Sequence, residues 1–98
     1  MGEKDSTYKL PPNDLWPHLA KLSIADDKPI MLDYWTDSLD KNVLIGVKKE
    51  DGEKLLVKNA EEYTSPITKI YKVAGCYIVC TENSIYVVSQ DIPTKHIN

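Results

Sequence analysis

Two cysteines, two histidines and three aspartates gathered around two aromatic rings are the residues whose types and spacing bear on chemistry in this chain. Cys76 and Cys80 stand at C-x3-C, a spacing to weigh for a disulfide, a metal site or a thiolate nucleophile. On a β-strand, residues four apart share a face but separate their α-carbons by about 13 Å. A disulfide needs less than about 7 Å, so no intrachain bridge is expected. The same spacing is poor for metal ligation, and His18 and His96 would have to arrive from a helix and a C-terminal tail. The surrounding pattern puts both thiols on an apolar face, where the thiolate is disfavoured. They read as small buried hydrophobes.

The second constellation is LDYWTDSLDKN, in which Asp33, Asp37 and Asp40 surround Tyr34 and Trp35. Carboxylates beside aromatic rings suit a cation, a sugar or a basic peptide, and paired carboxylates can perform general acid-base work. The spacing matches no EF-hand loop and lacks its glycine. The ordinary reading is a polar loop in which Asp and Ser supply turn hydrogen bonds. A small-ligand or carbohydrate-binding or processing site at Asp33, Tyr34, Trp35, Asp37 and Asp40 is the alternative.

No other chemistry is signalled. The four glycines are scattered and form no phosphate loop, and there is no Ser-His-Asp arrangement, H-E-x-x-H or paired C-x2-C. The sequence therefore implies no catalytic residue, no metal and no cofactor, and points away from an enzyme.

Charge narrows the partners. All twelve basic residues are lysine, against fifteen acidic residues, for a net charge of −3. That balance gives no general attraction for phosphate backbones, and without arginine the usual fork for reading bases is missing. Nucleic acid is disfavoured; the remaining route would be a lysine stripe of Lys48, Lys49, Lys54 and Lys58, crowded by Glu50, Asp51 and Glu53. A chain leaning on Lys, Ile and Tyr fits an AT-rich coding genome, cellular or viral. No run approaches the roughly 20 apolar residues of a membrane span, and no leader is evident. Cytoplasmic residence without membrane contact is expected, although Gly2 and Ser6 fit the short myristoylation pattern.

The elements that must position these residues follow from periodicity. Residues 1–12 read as a flexible arm ending in Pro11-Pro12. Leu15, Leu19 and Leu22 recur at helical spacing, with Asn13 or Asp14 available as a cap and Pro17 tolerable in the first turn. A helix over about 15–24 results. Residues 30–35 read as a strand. Residues 43–49 and 54–58 read as a hairpin with a three-residue loop at 50–52, pairing Ile45 with Val57 and Val47 with Leu55. Residues 61–66 form a connector.

Residues 67–89 carry the strongest pattern: three strands joined by two-residue turns at Ala74-Gly75 and Glu82-Asn83. Tyr71, Ile78 and Val87 line up on one face with Val73, Cys76, Cys80 and Ile85, the natural core. The opposite face carries Ile70, Val79 and Tyr86, flanked by Tyr77 and Val88. A sheet with two apolar faces must be covered twice. The N-terminal helix or a partner is expected to cover the second face.

The expected fold is therefore α+β. One N-terminal amphipathic helix precedes about six short, mainly antiparallel strands in a small barrel or strongly bent sheet, the general plan of SH3-like and Sm-like barrels by analogy alone. The domain spans residues 13–89, and residues 90–98 form a mobile tail or an added edge segment. With 98 residues and 42% hydrophobic content, the core is small and self-association is a common supplement. A noncatalytic protein-interaction or assembly module follows as the leading function. Its contact is the second sheet face or an exposed strand edge, anchored by Ile70, Tyr77, Val79, Tyr86 and Val88, with a protein partner or a second copy.

Overall fold

The structure, a computed structural model, describes residues 10–97. Most of the expected arm at 1–12, with Gly2 and Ser6, lies outside the described residues. A 3-10 turn at Asn13–Leu15 leads into helix α1 (Trp16–Asp26), with Pro17 in its first turn. Neither Asn13 nor Asp14 makes a side-chain cap, because the turn already places Pro12 before it and Leu15 ahead of α1. The helix ends where Asp27 adopts a left-handed φ of 54°, and Lys28 N–H donates to the Ser23 carbonyl. Ser23 Oγ donates to the Lys28 carbonyl at 2.6 Å, closing the end of the helix with side chain and backbone together.

Among the described residues, eight strands form two four-stranded sheets. The first sheet contains β1 (Ile30–Met31), β5 (Ile67–Val73), β6 (Cys76–Thr81) and β7 (Ile85–Ser89), in the order β1-β7-β6-β5. The second contains β2 (Leu44–Lys48), β3 (Lys54–Asn59), β4 (Glu62–Tyr63) and β8 (Thr94–Ile97), in the order β4-β3-β2-β8. Both sheets are mixed, since β1 lies parallel to β7 and β8 parallel to β2. The fold is thus α+β, but it is neither mainly antiparallel nor a closed barrel. Closure would require the outer strands to pair with one another, and each sheet instead keeps two edges.

The β5–β6–β7 registers match expectation: Tyr71 opposes Ile78, Ile78 opposes Val87, and Ile70 opposes Val79. Ala74 and Gly75 have φ of 52° and 78°, the positive values that a tight two-residue hairpin turn requires. The β2–β3 hairpin differs by one residue. Ile45 pairs with Leu56 and Val47 with Lys54, leaving a four-residue loop in which Gly52 adopts φ 77° and its N–H donates to the Lys48 carbonyl. The slip sets Lys48 beside Glu53, at 3.7 Å. The expected strand at 30–35 is only two residues long. Its continuation turns into a short helix, α2 (Trp35–Leu39).

Layering explains the two apolar faces. Helix α1 and the 3-10 turn before it pack on the face of Ile78, Val87, Cys76, Cys80 and Ile85 through Leu19 and Leu15 respectively. The second sheet packs on the opposite face, where Val79 and Val88 meet Val43, Ile45, Leu56 and Ile92. The three layers are helix, first sheet and second sheet. The second face is therefore covered by the chain's own second sheet, and α1 covers the first. Residues 94–97 take the form of an added edge strand.

Candidate functional site

Helix α2 divides the acidic-aromatic segment. Trp35 enters the core between α1 and the first sheet, while Tyr34 enters the core between the sheets. Ser38, fully buried, donates from Oγ to the Trp35 carbonyl at 2.6 Å and accepts the Ser89 N–H at 2.9 Å, fastening α2 to the end of β7. Asp37 pairs with Lys58 Nζ at 3.3 Å, and that ammonium lies 4.7 Å from the centroid of the Tyr34 ring. Tyr86 meets Tyr34 edge-on, with centroids 5.3 Å apart. Burial pushes the Tyr34 phenol up to about 12, helped by Tyr86, Asp33 and Glu62, and burial also raises Tyr86. Asp33 and Asp40 are exposed. The segment's two rings thus serve different cores, and no single surface brings both together with the three carboxylates.

The cysteines are free and buried in the first core, and burial raises both thiols, most directly by removing water from the charged form. Among the described residues no group of three His, Cys, Asp or Glu side chains converges as metal ligands. No helix of the described residues is long and apolar enough to cross a membrane.

The five proposed partner-contact residues separate by depth. Val79 and Val88 are 0% exposed, and Tyr77 and Tyr86 are half-buried against the second core. Ile70 alone of the five is exposed, at 36%, and its neighbour Tyr71 equals it. Both belong to β5, the longest described strand, which stands at the edge of the first sheet. Residues 68–72 are all exposed.

Local geometry shows what this edge offers. The Val73–Cys76 pair closes the turn, so Val73, Tyr71 and Lys69 direct their backbone groups toward β6, and Ile70 and Lys72 direct theirs outward. A register shift between Ile67 and Lys69 marks a bulge, and Thr68 Oγ donates to the Cys80 carbonyl there at 3.1 Å. Among the described residues, the unpaired ladder therefore spans 69–73. Side chains alternate across it, so Tyr71 lies on the α1 side and Ile70 on the second-sheet side. Both project at the margin where the covering layers end. Between α1 and β5 lies a cleft of about 170 Å³, lined by His18, Lys21, Leu22, Tyr71, Val73 and Ile78.

A second concavity, about 450 Å³, lies on the outer face of the second sheet. Leu55, Val57 and Ile97 form its apolar wall, with Lys48, Asn59 and Ala60 around it and Tyr63 59% exposed. Gly46 underlies it: a Cβ there would fall 2.7 Å from Ile97 Cδ1. Neither concavity was foreseen from sequence. The trough's signal is the consecutive apolar residues of β2 and β3, which supply both faces of the second sheet.

Comparison with protein-family models, curated proteins and solved structures finds no match. The functional reading rests on this geometry.

Proposed function

We propose that the protein is a noncatalytic interaction module that contacts a protein partner through the free edge of β5. The observation that carries this reading is the combination found in β5: the longest described strand, at a sheet edge among the described residues, with an exposed apolar side chain on each face. An unpaired edge is a template for a further strand; the bulge at 67–69 ends the template at one end, and Lys69 and Lys72 oppose pairing with another lysine-bearing edge while leaving 69–73 open to a partner of opposite charge. Main-chain bonds from Ile70 and Lys72 would provide affinity, and the alternating side chains selectivity.

Panning a peptide-display library on the full chain tests it, with bound peptides mapped by backbone amide shifts. Peptides should perturb residues 69–73. Ile70→Pro removes an outward N–H that no ladder bond uses and should abolish their binding. Ile70→Thr, a substitution compatible with a strand, should weaken it without unfolding. Peptides that map elsewhere, or bind both variants as well as the parent, contradict the reading.

The outer trough favours a second reading, a small-ligand or carbohydrate-binding protein, because an exposed tyrosine borders an apolar concavity. A ligand panel read by amide shifts at Leu55, Val57 and Tyr63 tests it. No response at those positions removes it.

A further inference from the structure

We propose that the β5 edge receives an extended acidic segment of a partner protein as an added antiparallel strand, with the pattern acid–apolar–apolar–acid. This rests on the reading of β5 as the contact surface and names the chemistry of what it contacts.

The charge distribution carries the inference. The chain as a whole is acidic, at −3, yet β5 contains Lys69 and Lys72 and no carboxylate. The adjoining cleft adds His18 and Lys21 and also contains no carboxylate. A strand laid along residues 69–72 would meet Lys69, Ile70, Tyr71 and Lys72 in turn. Opposite charges across a ladder attract and like charges repel, so the outer positions select Asp or Glu. The inner positions face Ile70 and Tyr71, whose exposed apolar surface selects aliphatic side chains. On the α1 side, the cleft beside Tyr71 accommodates such a side chain within a basic rim. A second copy is the less suitable occupant. It would bring four lysines onto one seam with no carboxylate from either β5 strand.

The test titrates the isotope-labelled full chain with three peptides: Thr-Glu-Val-Val-Glu-Thr, its Gln counterpart and its Lys counterpart. The acidic peptide should shift the Ile70 and Lys72 amides and bind about tenfold more tightly than the Lys peptide, a preference that weakens with added salt. In Lys69→Glu/Lys72→Glu the order should reverse. Equal binding of all three at β5 would overturn the acidic pattern while leaving β5 as the contact. Binding by none would overturn both. A doubled solution mass without peptide, with slow exchange at Ile70 and Lys72, would identify a second copy as the occupant. The same slow exchange in a monomer would identify residues 1–9. Either result overturns the proposal.

Discussion

Replacing Val79 by Ala distinguishes a core residue from an assembly contact. Val79 is 0% exposed and packs between the sheets with Val43, Ile45, Leu56 and Val88. The substitution removes two buried carbons, about 1.5 kcal/mol of transfer free energy, and the cavity left in a sandwiched position raises the loss to about 2–3 kcal/mol. Against a total stability of about 5–15 kcal/mol, that is a large fraction. The melting temperature should fall by about 10–20 °C. Urea unfolding should show a lower midpoint with an unchanged slope, and light scattering an unchanged mass. Ile70→Ala, at the exposed edge, should cost under about 1 kcal/mol. A loss below about 0.5 kcal/mol for Val79→Ala, accompanied by a changed mass, would refute the three-layer reasoning.

Other consequences follow from particular contacts. Ser38→Ala deprives the Ser89 N–H of its acceptor in a buried setting and should cost about 2–3 kcal/mol in urea unfolding, whereas Ser38→Thr should recover part of it. Gly46→Val forces its side chain against Ile97 and Val57 and should destabilise by about 1–3 kcal/mol, with faster amide exchange along β8. The Tyr34 phenol should ionise near 12 in an ultraviolet titration, and Tyr34→Phe should delete that step. Because its folded value lies above the unfolded 10.0, its contribution to stability is complete below pH 10 and is lost as pH rises toward 12. Chemical denaturation measured at pH 9 and pH 11 should show that loss in the parent and a smaller one in the Phe variant.

The β5–β7 meander was legible because its alternation is local and its turns fix the pairing. The helix was legible from Leu15, Leu19 and Leu22, although which face it covers depends on packing that no local pattern specifies. The parallel pairs were not legible. Ile30 and Met31 join β7 across more than fifty residues, and the 94–97 segment joins β2 from the far end of the chain. In the β2–β3 hairpin, consecutive apolar residues serve the core on one side and the trough on the other, so alternation could not select the register. The acidic-aromatic segment suggested a site because adjacency in sequence resembles convergence. Yet Tyr34 and Trp35 are sent to opposite sides of a sheet. Of the five residues read as partner contacts, Ile70 is exposed, whereas the burial of Val79 and Val88 depended on a second sheet whose position the sequence does not reveal.

Residue-by-residue amide exchange of the peptide-free full chain tests the central claim most directly. Exchange should alternate along one strand: Tyr71 and Val73, bonded to β6, exchange slowly, while Ile70 and Lys72 exchange fast and Val79 and Val88 rank among the slowest of all. Slow exchange at Ile70 and Lys72 would mean the edge is already covered. That result would contradict β5 as the free contact edge, and fast exchange at Val79 would mean the second sheet does not seal the first, contradicting the three-layer arrangement.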